Sequence, residues 1–211
     1  MADLKLKTIQ KSCLKGIKKS FFEYKKWSNE GLWRAHEYLL TINIAKILWK
    51  ANGRKYITIE DRIIETLKDA KVKKSKRTDD KVDRLNGFAD IIVWSKKNAK
   101  PKCIIEVKHR VKGFNDLKDD IDRISDILKQ KSTIKFGIST FFIENDLLKS
   151  TKSTKNNVEK KIEKIYKKVQ EHISESNLQT ELHYQEILTE PLDERRENSS
   201  FSVVIIIKKK I

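Results

Sequence analysis

The chain has 211 residues, room for one α/β domain with additions, and 38% of them are hydrophobic, enough to build a core. A net charge of +17, from 47 Lys and Arg against 30 Asp and Glu, creates a field that draws in polyanions. Two cysteines exclude a disulfide framework, and the longest aliphatic run, Val203 to Ile207, is too short to span a bilayer. The polar start, Met1 to Lys5, is unlike a signal peptide. The expected compartment is therefore the cytoplasm, with no membrane partner.

Residues 1–29 read as a basic helical arm, with Leu4, Leu6, Ile9, Cys13, Leu14 and Ile17 near helical spacing. Phe21, Phe22, Tyr24 and Trp27 follow among lysines, where they either stack on bases or pack the arm onto its own domain. Glu30 through Ala51 reads as a helix apolar around most of its girth, so Trp33 and Trp49 are expected in the core. Asn52-Gly53 terminates it. Within the stretch Tyr56 to Leu67 a further helix is expected, begun by a Thr58 or Glu60 cap and striped by Ile63, Ile64 and Leu67. The charged run Lys71–Arg77 then leads, through Asp79, Asp80, Asp83 and Arg84, toward Gly87. Such a run is either a solvated loop or a contact to a nucleic-acid backbone.

Phe88 to Trp94 and Lys102 to Lys108 are β-rich apolar runs separated by a polar turn containing Asn98 and Pro101, the pattern of a β-hairpin. Side chains alternate along a strand, so Glu106 and Lys108 share one face, while His109 takes the other and is expected to be structural. Cys103, in phase with Ile105 and Val107, is expected to be a core thiol. With the turn centred on Asn98, Asp90 lies across from Glu106, their Cβ atoms about 4.5–5.5 Å apart. Two like charges so placed destabilise a sheet unless a cation neutralises them. Mg²⁺ needs only one or two carboxylates, because it keeps several waters. His36, His109, His172 and His183 show no zinc-ligand spacing.

After a basic turn, His109 to Phe114, Asn115 to Lys129 reads as an amphipathic helix with Leu117, Ile121, Ile124 and Leu128 on one face. A strand from Ile134 to Ile143 follows, completing a strand–strand–helix–strand unit. Lys149 to Asn157 is of low complexity and is expected to be a loop. Val158, Ile162, Ile165, Tyr166, Val169 and Ile173 mark a long helix. Leu182 to Leu188 and Phe201 to Lys208 are expected strands, the second buried on both faces.

Asp90, then Glu106-Val107-Lys108 on the next strand, resembles the PD-(D/E)XK nuclease superfamily, over roughly Glu60 to Ile143. One departure is Ala89, where the family often has Pro. The resemblance implies an α/β fold with a restriction-endonuclease-like core, about residues 55–145, built on a mixed central sheet flanked by helices. N-terminal helical and C-terminal helix/strand extensions would complete a single domain over 30–211, with the arm of 1–29 before it. It implies Mg²⁺, for which Mn²⁺ can substitute, bound by Asp90 and Glu106 with the carbonyl of Val107 as a third ligand. Lys108 would position or activate the attacking water. A third acid on a preceding helix is usual in the family. Glu65 ranks first, Glu37 second and Glu60 third, each also readable as a first-turn acid favoured by a helix dipole.

The expected activity is metal-dependent phosphodiester hydrolysis, in DNA rather than RNA and as an endonuclease rather than an exonuclease, in restriction or defence. Double-strand cutters need two active sites, so a homodimer is one expected assembly. The alternative is a non-catalytic nucleic-acid-binding module, or a subunit of a nucleic-acid-processing complex.

Overall fold

The computed structural model describes residues 5–51, 56–72, 85–95, 97–148, 154–191 and 196–210. In chain order these form α1 (Leu6–Ser28), a 3-10 turn (Leu32–Arg34), α2 (Glu37–Ala51), β1 (Ile57–Arg62), α3 (Ile63–Asp69), β2 (Phe88–Trp94) and β3 (Pro101–Lys108). A second short 3-10 turn (Phe114–Asp116) precedes α4 (Lys118–Lys129), β4 (Phe136–Leu148), α5 (Thr154–His172), β5 (Leu178–Pro191) and β6 (Arg196–Lys209). The strands make one mixed sheet in the order β1-β2-β3-β4-β6-β5. Only β3 and β4, joined through α4, run parallel. The other neighbours are antiparallel.

Both faces of the sheet are covered. On one, Ile9, Cys13 and Ile17 of α1 and Leu40, Ile44 and Leu48 of α2 pack on Ile91, Ile105 and Val107. On the other, Ile121 and Leu128 of α4 and Ile162 and Val169 of α5 pack on Ile92, Ile104 and Ile205. The central strands are apolar on both sides because both sides are roofed. Cys103 and Cys13 are fully buried free thiols, as expected for Cys103.

Several expected elements change. The residues of the basic arm form α1, but its apolar stripe lies within the core, so it is a docked layer. Phe21 is 2% exposed, whereas Phe22 and Trp27 are 45% and 66% exposed. The helix expected over 30–51 starts at Glu37, after the 3-10 turn and an extended Ala35. That break turns Trp33 out of the core, and Trp49 also points outward, at 38% and 41% exposure. The helix expected within Tyr56–Leu67, behind a cap at Thr58 or Glu60, starts only at Ile63, and the residues before it form β1. Ile57, Thr58 and Ile59 are β-branched and pair with β2, where Trp94 Nε1 donates to Thr58 Oγ1 at 2.9 Å. Thr58 thus serves a strand rather than capping a helix. Thr154 to Asn157, expected in a loop, open α5. The run of charges after Val72, through Arg84, lies outside the described residues. No described helix is long and apolar enough to cross a membrane.

Two glycines set helix distances. A Cβ on Gly16 would lie 2.5 Å from Ile44 Cγ1, so Gly16 lets α1 and α2 touch. A Cβ on Gly137 of β4 would overlap Ile124 of α4, so Gly137 sets how closely α4 lies on the sheet. Gly137→Ala is expected to destabilise the fold by about 1–3 kcal/mol through overpacking, read as a lowered urea midpoint.

Candidate active site

The β2–β3 register pairs Ile91 with Ile105, Ile92 with Ile104 and Val93 with Cys103. Continued one step, it sets Asp90 opposite Glu106, but the ladder ends at Ile91–Ile105. From there β2 stays with β1 as far as Phe88, and β3 stays with β4 as far as Lys108. The sheet therefore splits open between Asp90 and Val107. In the gap Asp90 Oδ2 accepts the Val107 N–H at 2.6 Å, in place of a main-chain carbonyl. A side chain thus closes the backbone accounting at the point of divergence.

Glu106 and Lys108 lie on the α4 face, as alternation requires, and α4 answers each with an opposite charge. Arg123 Nη1 is 3.1 Å from Glu106 Oε2, and Lys108 Nζ is 3.5 Å from Asp120 Oδ2. Arg123 also stands 3.7 Å from Asp120 Oδ1. From the other side α2 brings Glu37, whose Oε1 is 3.9 Å from Lys108 Nζ and whose Oε2 accepts the His109 N–H at 2.8 Å. Glu37 and Asp120 both occupy the first turn of their helices, so two positive helix ends converge on the C-terminal end of β3.

Among the upstream acids, the structure brings Glu37 to Lys108 and leaves Glu65 elsewhere. Glu65 is an exposed residue of α3, 3.7 Å from Lys68. Glu60 stands level with Asp90 in the β1–β2 register but is exposed and held at φ 51°. Glu65 ranks above Glu37 in the sequence because its place twenty-five positions before Asp90 suits the family resemblance. Asp120 and Arg123 were read only as polar-face residues of their helix. Their i, i+3 spacing, next to a strand bearing Glu106 and Lys108, was the available signal. His109 is structural: Nε2 lies 2.7 Å from the Leu32 carbonyl and the ring stacks on Phe142.

The site carries strained electrostatics. Glu106 is 2% exposed, and burial pushes its carboxyl well above the usual range, with Arg123 opposing and Asp90 and Asp120 adding to the rise. Burial also raises Asp90, from 3.8 to about 6, against the Val107 N–H that favours its anion; Glu37 and Asp120 push it further upward. Asp120 is raised chiefly by burial, with Lys108 and Arg123 opposing. Burial works against the Lys108 ammonium, but Asp120, Glu37 and Asp90 outweigh it, so Lys108 is held protonated more firmly than an ordinary lysine.

Buried polar atoms without hydrogen bonds gather here: Glu106 Oε1, Asp120 Oδ2, Arg123 Nε and the hydroxyl of Ser139, the β4 residue paired with Glu106. Leaving one such group unmade costs about 1–3 kcal/mol, so a group of them calls for an explanation. Glu106 Oε1 is the carboxylate oxygen here with neither a hydrogen bond nor an ion pair, and a hard divalent cation bound to it would offset the repulsion from Asp90 and Asp120 that adds to the rise. Among the described residues, no three His, Cys, Asp or Glu form a ready-made cage.

No protein-family model matches this chain, and neither does any curated protein or solved structure compared with it.

Two outcomes are expected. An unfolded Asp90 ionises near pH 4 and the folded one near pH 6, so ionisation disfavours the native state progressively between those values and fully above pH 6. Asp90→Asn should therefore be more stable than wild type above pH 6 without metal, by on the order of 2–3 kcal/mol. The two should converge below pH 4, as followed by chemical unfolding in EDTA. Arg123→Met should destabilise wild type by about 3 kcal/mol, since it strands a buried carboxylate, and should cost far less in a Glu106→Gln background.

Proposed function

We propose that this protein is a metal-dependent nuclease with a restriction-endonuclease-like core, hydrolysing phosphodiester bonds in DNA. The observation that carries the reading is the joint placement of Asp90, Glu106 and Lys108 at an opened strand end, with one buried Glu106 oxygen that has no hydrogen bond and with Asp90 and Asp120 near enough to raise its pKa. The likeness to the PD-(D/E)XK superfamily drawn from the motif has the same three residues in these roles, with Val107 supplying a main-chain carbonyl.

In this reading Asp90 and Glu106 hold Mg²⁺ or Mn²⁺. Bound there, the cation would lower the pKa of a coordinated water and offset charge developing on the phosphate. Arg123 fixes Glu106 through one carboxylate oxygen and leaves the other available. Lys108 stays an ammonium, so its part is to orient the attacking water and to stabilise phosphate negative charge, not to take a proton. Asp120 and Glu37 hold that ammonium from two sides. Glu37 takes the place first given to Glu65.

The net charge of +17 fits the same reading through attraction to the phosphate backbone. Endonuclease action, a restriction or defence role and a homodimeric form belong to the proposal by resemblance.

The decisive experiment is cleavage of supercoiled plasmid, linear duplex, single-stranded DNA and RNA in Mg²⁺, Mn²⁺ or EDTA. Glu106→Gln and Lys108→Ala should each lower the rate at least about a hundredfold. Glu65→Ala should cut like wild type. Cutting by the Glu106 and Lys108 variants at the wild-type rate would sink the assignment. Salt-sensitive binding with no cutting in any condition would favour the non-catalytic module.

A further inference from the structure

Beside the candidate active site lies a cleft of about 890 Å³, within the range of pockets that hold small organic groups. It is built from the same chain segments. Arg110 and Lys112 come two and four residues after Lys108, and Trp33 belongs to the turn whose Leu32 carbonyl is held by His109. Lys161 of α5 closes the far side.

Its lining pairs an aromatic ring with the cations Arg110, Lys112 and Lys161. Trp33 is 38% exposed, and the Arg34 and Arg110 guanidinium carbons lie 4.7 and 5.4 Å from its ring centre. Of the carboxylates on the wall, Glu190 is paired with Lys25 at 2.5 Å and Glu30 with Arg34 at 3.3 Å. Glu144 accepts from Asn198 at 3.4 Å. Among the described residues Arg110, Lys112 and Lys161 form no ion pair within 4 Å. Burial lowers the Lys161 pKa, Asp116 and Glu144 oppose that from a distance, and Lys112 reinforces it.

Gly31 shapes the aromatic wall. Its backbone, at φ −68°, suits any residue, yet a Cβ there would lie 2.6 Å from Trp33 Cδ1 and Nε1. The Cδ1–Nε1 edge of the ring lies against a position that only glycine leaves clear. Nucleobases released from a duplex stack on such rings and on guanidinium planes, whereas paired bases inside a duplex hide their faces.

We propose that this cleft receives one unpaired nucleotide of the DNA strand being cut, its base stacked on the Trp33–arginine assembly and its phosphate held by Arg110, Lys112 and Lys161. This rests on the nucleic-acid reading above and adds the form of substrate: a strand end, a flap or a locally opened duplex.

The test is anisotropy of a fluorescein-labelled single-stranded 12-mer and its duplex in EDTA, with 2-aminopurine in the strand to report stacking. Trp33→Ala and the pair Lys112→Ala/Lys161→Ala should each weaken single-strand binding on the order of tenfold, and Trp33→Ala should also abolish the 2-aminopurine quench. Duplex binding should change by no more than about twofold, as should single-strand binding by Lys167→Ala, an exposed cation of α5. Gly31→Ala alters no charge and should reproduce the Trp33→Ala defect in part, while Trp33→Phe should restore most of the affinity; thermal unfolding checks that each variant is folded.

Cleft variants that bind single strands like wild type, or AMP binding as tightly as the 12-mer, would overturn the inference. Cleavage that depends on Glu106 but not on the cleft would overturn the inference and spare the nuclease reading. Single-strand binding through the cleft without cleavage by wild type would do the reverse. A wild-type protein that binds no nucleic acid would remove both.

Discussion

The burial of Glu106 is the constraint on which the rest of the site depends. A carboxylate this deep in a sheet is unfavourable as an anion, and Asp90 and Asp120 beside it make it more so. One guanidinium, Arg123, balances it through a single oxygen. Arg123 belongs to α4, so the distance of α4 from the sheet, set by Gly137 against Ile124, fixes whether that balance holds. Packing and electrostatics are therefore one problem here. A helix displaced by a fraction of an ångström would leave the charge unmatched in a medium that amplifies the error.

The split between β2 and β3 explains why the acids collect where they do. A continuous ladder would have paired Val107 with a backbone carbonyl and left no room beside Glu106. Because β2 follows β1 and β3 follows β4, the gap must be closed by a side chain, and Asp90 does so with its Oδ2. Two helix starts then face the same gap, and their first-turn acids grip Lys108. The positive helix ends favour anions at this spot whether those anions are side chains or phosphate.

Much of this was legible from residue order alone. Alternation placed Glu106 and Lys108 on one face and His109 and Cys103 on the other, and the polar turn at Asn98 fixed the register, because strand geometry is local. The helix partners were not legible. That Glu37 reaches Lys108 depends on where α2 begins, and the break at Leu32–Arg34 is invisible to hydrophobic spacing, since Leu32 and Trp33 continue the apolar pattern. The same break carried Trp33 to the surface against expectation. Arg123 and Asp120 looked like solvated polar-face residues; only the approach of α4 to the strand end gives them a partner. The strand at Ile57–Arg62 is not legible because it runs straight into the helix at Ile63–Asp69, and each is too short for its own period to dominate.

His109 joins the two parts of this region into one mechanical unit. Its N–H is fixed by Glu37, its ring nitrogen meets the Leu32 carbonyl, and its ring lies on Phe142 of β4. Lys108 precedes it and Arg110 follows it. The same residue therefore sets the position of the lysine at the carboxylate site, of the arginine at the cleft, and of the turn that presents Trp33. A strand of nucleic acid touching both places would meet a single preorganised surface rather than two that must be brought into line, and the ordering cost of that alignment is met when the protein folds.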